Sequence, residues 1–253
     1  MKIRLEKVGK KFGDLWAVKD VTISILPNRI TGLVGPNGAG KTTLFHLIAG
    51  ELKPDEGKIY LEHGTKKEDI TGLPPWKIAL KGIGRLFQEV RIFKKLTVLE
   101  NVCVALQEKK TESPFRILTN PLLIKKKKYY MEEAMKWLEF VGLEKEKDKY
   151  ADELSFGQQK LLSIARLMAG GFKILLLDEP TAGLHPDMVK KIERLLRKIV
   201  EEKKTLAIIE HNLSTILNIT DWVYFMNEGK VAFFGKPEHV LGEKEVKEAY
   251  IGI

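Results

Sequence analysis

The sequence predicts an α/β fold with a mostly parallel sheet, an N-terminal antiparallel β subdomain and an inserted α-helical subdomain. Three observations predict it. Runs that are apolar almost throughout, Ile30-Thr31-Gly32-Leu33-Val34, Lys173-Ile174-Leu175-Leu176-Leu177 and Thr205-Leu206-Ala207-Ile208-Ile209, alternate with helical pattern, as strands covered on both faces do. Residues 2–8 and 20–26 instead alternate apolar and polar, as in Val21-Thr22-Ile23-Ser24-Ile25, which marks strands of an antiparallel sheet. From about 89 to 170 helical pattern dominates. The expected organisation is one domain over 1–253. About 1–88 and 171–253 form the core with its β subdomain, and about 89–170 form the helical subdomain.

Taken in order, the first two strands are separated by a turn at Lys11-Phe12-Gly13-Asp14, where Phe12 either joins the core or offers its ring face to a base. Residues 30–34 then read as a short buried strand. Gly35-Pro36-Asn37-Gly38-Ala39-Gly40-Lys41-Thr42 follows, with Thr43 behind it, and matches G-x-x-x-x-G-K-[ST], the phosphate-binding loop. Lys41 to Ala49 reads as a helix closed by Gly50. A glycine-rich turn is the structural alternative, and the strand ahead and the helix behind argue against it. Glycines at 35, 38 and 40 let successive N–H groups face one concavity at a positive helix N-terminus, which makes an anion site. Lys41 supplies a point charge for the β- and γ-phosphates, and the Thr42 hydroxyl can hold Mg²⁺. The α/β core is therefore expected to be that of a phosphate-loop NTPase.

Pro54-Asp55-Glu56-Gly57 turns the chain, and Lys58-Ile59-Tyr60-Leu61 returns to the antiparallel sheet. Leu73-Pro74-Pro75-Trp76 breaks it before a helix near 76–81, and Gly84-Arg85-Leu86-Phe87-Gln88 reads as a strand ending in a polar residue. Helices are expected near 97–107, 128–141 and 157–169, with a surface insertion at 108–124 that carries Pro114 and Pro121. A charged helix at 187–202, strands near 221–226 and 230–234 about a turn at Glu228-Gly229, and a short C-terminal helix complete the chain.

Two further stretches carry chemistry. Leu175-Leu176-Leu177-Asp178-Glu179 delivers two carboxylates at a strand end. Neighbours on a strand point to opposite faces, so the two cannot share one task. Asp178 would hold Mg²⁺ through water, and Glu179 would accept a proton from an attacking water. An acidic turn before Pro180 is the structural alternative. Leu154-Ser155-Phe156-Gly157-Gln158-Gln159-Lys160 opens an apolar helix, and Ser155 with Gln158 has capping-box spacing. Gly157 is unexplained by capping alone, because glycine in a first turn costs about 1 kcal/mol against alanine. It suits close approach of an anion to the helix N-terminus.

Composition narrows the setting. The chain has 253 residues, 44% hydrophobic and 30% charged, and a formal net charge of +9. One cysteine, Cys103, excludes an internal disulfide; in Val-Cys-Val-Ala it reads as a small buried residue rather than a nucleophile. No apolar run approaches the roughly 18 residues needed to span a bilayer, so any membrane role is expected to come through partner chains. The block Lys125-Lys126-Lys127-Lys128 reads as a solvated helix face before a lipid-headgroup contact.

The phosphate loop, Gln88, the Leu154–Lys160 stretch, the acidic strand and His211 after the next strand come in the order of the ATP-binding subunits of ABC transporters, and the chain resembles that family along essentially its whole length. The resemblance implies that Phe12 stacks on adenine, an interaction worth about 1–3 kcal/mol. It implies that Gln88 touches Mg²⁺ and the lytic water, and that His211 contacts the γ-phosphate and orients Glu179. Ser155, Gly157 and Gln158 would bind the γ-phosphate held by a second ATPase subunit, a second copy or a paralogue, in a head-to-tail dimer that traps two ATP molecules. Partners implied are transmembrane permease subunits and no nucleic acid; the implied location is cytoplasmic, peripheral on the inner face of the membrane. Two positions depart from the family pattern. Phe156 stands where the commonest signature has glycine, and His185 in Ala182-Gly183-Leu184-His185 replaces the usual aspartate.

Within the family three features are similar to branched-chain amino acid importers. They are Arg85-Leu86-Phe87-Gln88 running into Val98-Leu99-Glu100-Asn101-Val102, the insertion with Ser113-Pro114-Phe115, and the ending Val246-Lys247-Glu248-Ala249-Tyr250-Ile251-Gly252. That ending is shared with lipopolysaccharide-export ATPases. A soluble ABC ATPase of the iron–sulfur assembly type is the alternative without transport. A phosphoryl-transferring kinase would leave the Ser155 stretch without a task. Val90, Ile92, Phe93 and Leu96 either floor a groove for a permease helix or belong to the core.

Overall fold

The computed structural model describes residues 1–106 and 122–251, with the side chains of 122–127 and 251 left aside. The expected insertion at 108–124, including Ser113-Pro114-Phe115, therefore lies almost wholly outside the described residues. The chain divides into two units, Met1–Gln88 with Lys173–Ile253, and Glu89–Phe172.

The first unit holds two sheets. Strands β1 (Lys2–Phe12), β2 (Leu15–Ile25), β4 (Glu56–His63) and β5 (Lys66–Asp69) make an antiparallel sheet in the order β2-β1-β4-β5. The second sheet runs β10-β9-β3-β8-β7-β6, from β3 (Ile30–Val34), β6 (Ile83–Leu86), β7 (Ile174–Asp178), β8 (Thr205–Ile209), β9 (Trp222–Asn227) and β10 (Lys230–Gly235). It is parallel except for the β9–β10 hairpin, whose turn puts Glu228 and Gly229 at φ 46° and 76°. Two successive positive φ values match the right-handed twist of the flanking strands. β3, β7 and β8 are buried at every position, as the apolar runs require.

Helix α1 (Lys41–Ile48) joins the sheets. Its Leu44, Phe45, Leu47 and Ile48 form one apolar cluster with Ile3, Leu5 and Val21 of the first sheet and Leu33, Leu176 and Ala207 of the second. Burying each large side chain of this kind contributes about 1.5–3 kcal/mol. The remaining helices of this unit are α2 (Pro75–Leu80), α6 (Pro186–Glu201), α7 (Leu213–Ile219), α8 (Pro237–Val240) and α9 (Lys244–Ile251).

The second unit contains α3 (Val98–Leu106), α4 (Leu122–Val141) and α5 (Phe156–Ala169), packed pairwise over Val98, Val102, Ala134, Leu138, Leu161 and Ala165. Asn101 is fully buried and pins the segment before α3. Its amide donates to the carbonyls of Phe93, Leu96 and Thr97, and its oxygen accepts the Phe93 N–H at 2.9 Å. Cys103 is half-buried on α3 and donates to the Tyr130 carbonyl at 3.7 Å, rather than being fully buried. Lys128 is 80% exposed beside Glu132, in keeping with a solvated face for the described end of the lysine block.

Some expectations shift, and some elements carry no signal in the sequence. The first two strands extend to Phe12 and back to Leu15, further than the alternating pattern indicates. Lys7 and Asp20 have φ 50° and 51°, and the register slips between Leu5 and Val8, so buried positions fall next to each other and the period of two is lost. β5 is exposed at every residue and has no apolar signature. The short helix α7 has too few turns to show a period.

Candidate active site

The residues that the motifs single out in the first unit meet at one edge of the large sheet. β3, β8, β7 and β6 are adjacent and parallel, so their C-terminal ends point the same way. The phosphate loop follows β3, His211 follows β8, Asp178 and Glu179 end β7, and Gln88 lies two residues past β6. Open α/β sheets bind ligands at this edge.

In the loop, Gly35, Gly38 and Gly40 have φ 145°, 80° and 96°, so the backbone curls as the spacing of glycines requires. A Cβ on Gly35 would lie 2.1 Å from the Met226 carbonyl, and one on Gly40 2.2 Å from the Ala17 carbonyl. Those two glycines let neighbouring strands close on the loop from behind. A Cβ on Gly38 would meet nothing within 4 Å, so this residue faces the open side together with exposed Asn37 and Thr42. Pro36 and Thr43 are half-buried, and Ala39 is buried. No side chain caps the N-terminus of α1 at Gly40. Its first-turn N–H groups and the concavity at Gly38 suit an anion of phosphate size.

Lys41 is 5% exposed, and its Nζ donates to the carbonyls of Gly35 at 2.7 Å and Pro36 at 2.8 Å. Burial lowers its pKa, and the negative charges of Glu179 and Asp178 work against that shift. The ammonium is therefore held by the loop's own backbone carbonyls.

Glu179 is the hinge of the arrangement. It stands at φ 48°, a left-handed conformation that costs a non-glycine residue about 1–2 kcal/mol, and its N–H donates to the Ile209 carbonyl. Its carboxylate lies between Gln88 and His211. Oε2 accepts the Gln88 amide at 3.1 Å, and Oε1 lies 3.1 Å from His211 Nε2. Two side chains, each following a different strand, thus converge on the carboxylate that follows a third.

Asp178 is 3% exposed and paired with Arg85 at 3.1 Å; Arg85 also reaches Glu51 at 2.9 Å. Burial raises the Asp178 pKa, and the Arg85 guanidinium works against that shift. Beneath His211, buried Glu210 accepts the Thr181 N–H at 2.9 Å and its hydroxyl at 2.7 Å. That bond ties the turn after Glu179 to the strand end that carries His211. Arg85, Glu51, Thr181 and Glu210 were missed as site residues; the one signal in the sequence is that each lies within a few residues of a motif or helix end.

Phe12 is 49% exposed, so it is not a core residue. Its ring, 5.6 Å from Lys10 Nζ, is free to meet a planar group. His185 is exposed and caps α6 by accepting the Asp187 N–H, a local task an aspartate would also perform.

Ser155, Gly157 and Gln158 belong to the second unit. Ser155 caps α5 through the Gln158 N–H at 3.4 Å, and Gln158 Oε1 accepts the Ser155 N–H at 3.0 Å. The capping box is therefore present. Phe156 at the helix start is exposed, with Lys160 Nζ 5.2 Å from its ring. Of the apolar residues after Gln88, Phe93 is exposed under Arg166, and Val90, Ile92 and Leu96 are half-buried, so none of the four is fully core.

Comparison with known proteins identifies the arrangement. The family described as ABC transporter matches residues 18–182. The High-affinity branched-chain amino acid transport ATP-binding protein LivG of Escherichia coli (strain K12) is 37% identical over 244 residues, spanning 96% of this chain and 94% of that protein. A solved ATP-binding cassette of an ABC transporter, in its ADP conformation, is 35% identical, with a TM-score of 0.85 and full coverage of both chains. A dimeric cassette in a post-hydrolysis state, bound to ADP and Pi, is 27% identical with a TM-score of 0.74, over 93% of this chain and 98% of that one. Since the family match runs through the phosphate loop and past the acidic strand end, this chain belongs to the ABC transporter family and is one of its ATP-binding, ATP-hydrolysing subunits.

Proposed function

We propose that this subunit powers import of amino acids through membrane permease partners, with hydrolysis centred on Glu179. The carrying observation is that Glu179 offers one carboxylate oxygen to Gln88 and the other to His211, each at 3.1 Å. Gln88 and His211 aim the carboxylate; Glu179 takes a proton from water as the water oxygen bonds to the γ-phosphorus and the bond to the β-phosphate oxygen breaks. The products are ADP and phosphate. Lys41 and the loop N–H groups hold the β- and γ-phosphates, and Phe12 stacks on the base.

Thr42, Gln88 and Asp178 would hold Mg²⁺. A hydroxyl, an amide and a carboxylate form the sparse oxygen set that this ion accepts while keeping several waters, and no group of three or more His, Cys, Asp or Glu suited to a metal occurs among the described residues. When bound, the ion neutralises charge on the phosphates.

Ser155, Gly157 and Gln158 would complete the γ-phosphate site of a second subunit, a copy of this chain or a paralogue, and the dimeric relative supports that reading. Amino acids as cargo are supported by the relative in Escherichia coli. In this reading permease subunits make the crossing and this chain sits on their inner, cytoplasmic face; no helix among the described residues is long and apolar enough to cross a membrane. The partly exposed Val90, Ile92, Phe93 and Leu96 offer the permease an apolar surface. The whole chain serves as one ATPase domain, with residues near 89–170 as its helical subdomain.

The test is Glu179→Gln. Glutamine keeps size and an acceptor oxygen but takes no proton, so turnover falls by about 10²–10⁴-fold while ATP still binds. The variant accumulates as a dimer with ATP and not with ADP, read by size-exclusion chromatography with light scattering. Hydrolysis at the wild-type rate would end the assignment of Glu179 as base.

A further inference from the structure

Gly35 opens the phosphate loop just past the last residue of β3. The β3 ladders end at Leu33 opposite β8 and at Val34 opposite β9, so the Gly35 N–H lies beyond both. A buried N–H without a partner is costly, and its acceptor here comes from the far end of the chain. The Tyr250 hydroxyl on α9 accepts it at 3.0 Å, across 215 residues. On the other side of the same residue the Gly35 carbonyl accepts Lys41 Nζ at 2.7 Å. The residue that sets the entry of the loop is thus held at its N–H by Tyr250 and at its carbonyl by Lys41. Behind it, the Met226 carbonyl leaves no room for a side chain.

The helix that brings Tyr250 here is anchored by Val246, which is 1% exposed, while Lys244, Glu245, Lys247 and Glu248 on its other faces are exposed. Tyr250 itself is half-buried. Burial pushes its phenol above the usual value, and the bond from Gly35 acts the other way, so the hydroxyl stays protonated and neutral at physiological pH. A neutral hydroxyl can accept the N–H while placing no negative charge beside the phosphates.

We propose that Tyr250 is a positioning residue for ATP binding: through the Gly35 N–H, the C-terminal helix holds the phosphate loop in its binding shape before nucleotide arrives. The inference rests on residues 35–43 being the nucleotide phosphate site. Lys41 must leave the Gly35 and Pro36 carbonyls to reach a phosphate, and when it does, one of the two ties on Gly35 is released. Tyr250 is the tie that remains. Its hydroxyl acts on the loop backbone at the Gly35 N–H, so it acts by preorganisation, which lowers the ordering cost of binding without entering the chemical step.

The experiment uses the full chain with Tyr250→Phe, which removes one oxygen and keeps the ring that packs α9. ATP affinity is measured by titration calorimetry, steady-state hydrolysis is followed in parallel, and exchange of the Gly35 amide is read by NMR. Loss of one neutral hydrogen bond predicts a Kd and KM for ATP raised about three- to tenfold, with kcat within about twofold. The Gly35 amide should exchange faster with solvent. A purely structural role would lower the melting temperature and leave Kd unchanged, and that outcome overturns the proposal. So does a fall in kcat at unchanged KM, which would put Tyr250 in the chemistry. Lys41→Ala, measured alongside, separates the two levels. If it binds ATP normally, the phosphate-loop reading itself fails; if it loses binding while Tyr250→Phe does not, only the role of Tyr250 fails.

Discussion

At the residue scale, conformation and charge are divided among neighbours that cannot exchange tasks. Gly35 and Gly40 are backbone necessities, because carbonyls of Met226 and Ala17 occupy the space of a Cβ, whereas Gly38 faces outward. Lys41 is the charge that these glycines serve. Buried at 5% exposure, it donates to two carbonyls, which in the proposed reading it would exchange for phosphate oxygens when nucleotide binds. Lys41→Ala removes two charge-assisted hydrogen bonds to phosphate and should weaken ATP binding by about 10²-fold or more. Equilibrium titration checks it; binding within a few-fold of wild type would contradict the role given to this lysine. The residue scale was legible for the phosphate loop, because its spacing reports backbone geometry directly. It was not legible for Arg85 or Glu210, whose partners Asp178 and Thr181 lie 93 and 29 residues away.

At the element scale, the antiparallel sheet of the first unit depends on polar ties where its outer hairpin lacks apolar burial. β5 is exposed throughout, and the β4–β5 pairing is braced by Asp69, which accepts Lys58 Nζ at 2.8 Å and the Thr71 N–H at 2.9 Å. The Lys58 ammonium first, then the Thr71 hydroxyl and N–H, hold the Asp69 carboxyl well below the ordinary carboxylate range, at about 2. A depressed carboxylate contributes stability that is present above its unfolded pKa of about 4 and is lost as pH falls through about 2. Asp69→Asn should therefore lower the melting temperature slightly at pH 7, with the difference shrinking from about pH 4 downward and vanishing near pH 2. Thermal melts across that range test it; a difference that stays constant with pH would remove the carboxylate from the explanation. The buried parallel strands were legible as elements because they are apolar from end to end. The exposed strand β5 was not, because nothing in a polar run distinguishes a strand from a loop.

At the scale of the whole molecule, ATP hydrolysis in the proposed reading needs more than one copy of the site residues on this chain. Glu179, Gln88 and His211 converge within the first unit, while Ser155, Gly157 and Gln158 form the opening of α5 in the second. Ser155→Arg puts a bulky side chain where a second subunit's γ-phosphate would lie. Nucleotide binding by the single chain should be unchanged within about twofold, whereas turnover should fall by about 10²-fold or more, as when a donor to a transferring group is lost. The substitution also removes the α5 cap, worth about 1 kcal/mol, so melting is followed to separate the two effects. Undiminished hydrolysis by a folded Ser155→Arg chain would remove the head-to-tail dimer from the mechanism.

What the sequence determined by itself was whatever depends on short-range order along the chain. The phosphate loop, the Asp178-Glu179 strand end, the capping box at Ser155 and each buried apolar strand show in short runs of consecutive residues, because backbone geometry and burial impose a local pattern. Tertiary structure alone decided which of these pieces share an edge. Strand order β3-β8-β7-β6 is not the order of the chain, and it brings Gln88 and His211 to the carboxylate of Glu179. It also decided that Phe12 is exposed, that the first two strands carry bulges which erase their alternation, and that Tyr250 closes on Gly35. The physical reason is common to all of them. A hydrogen bond or a packed contact between residues far apart in sequence is selected by the fold's global free energy, and it leaves no pattern in the neighbouring residues from which it could be read.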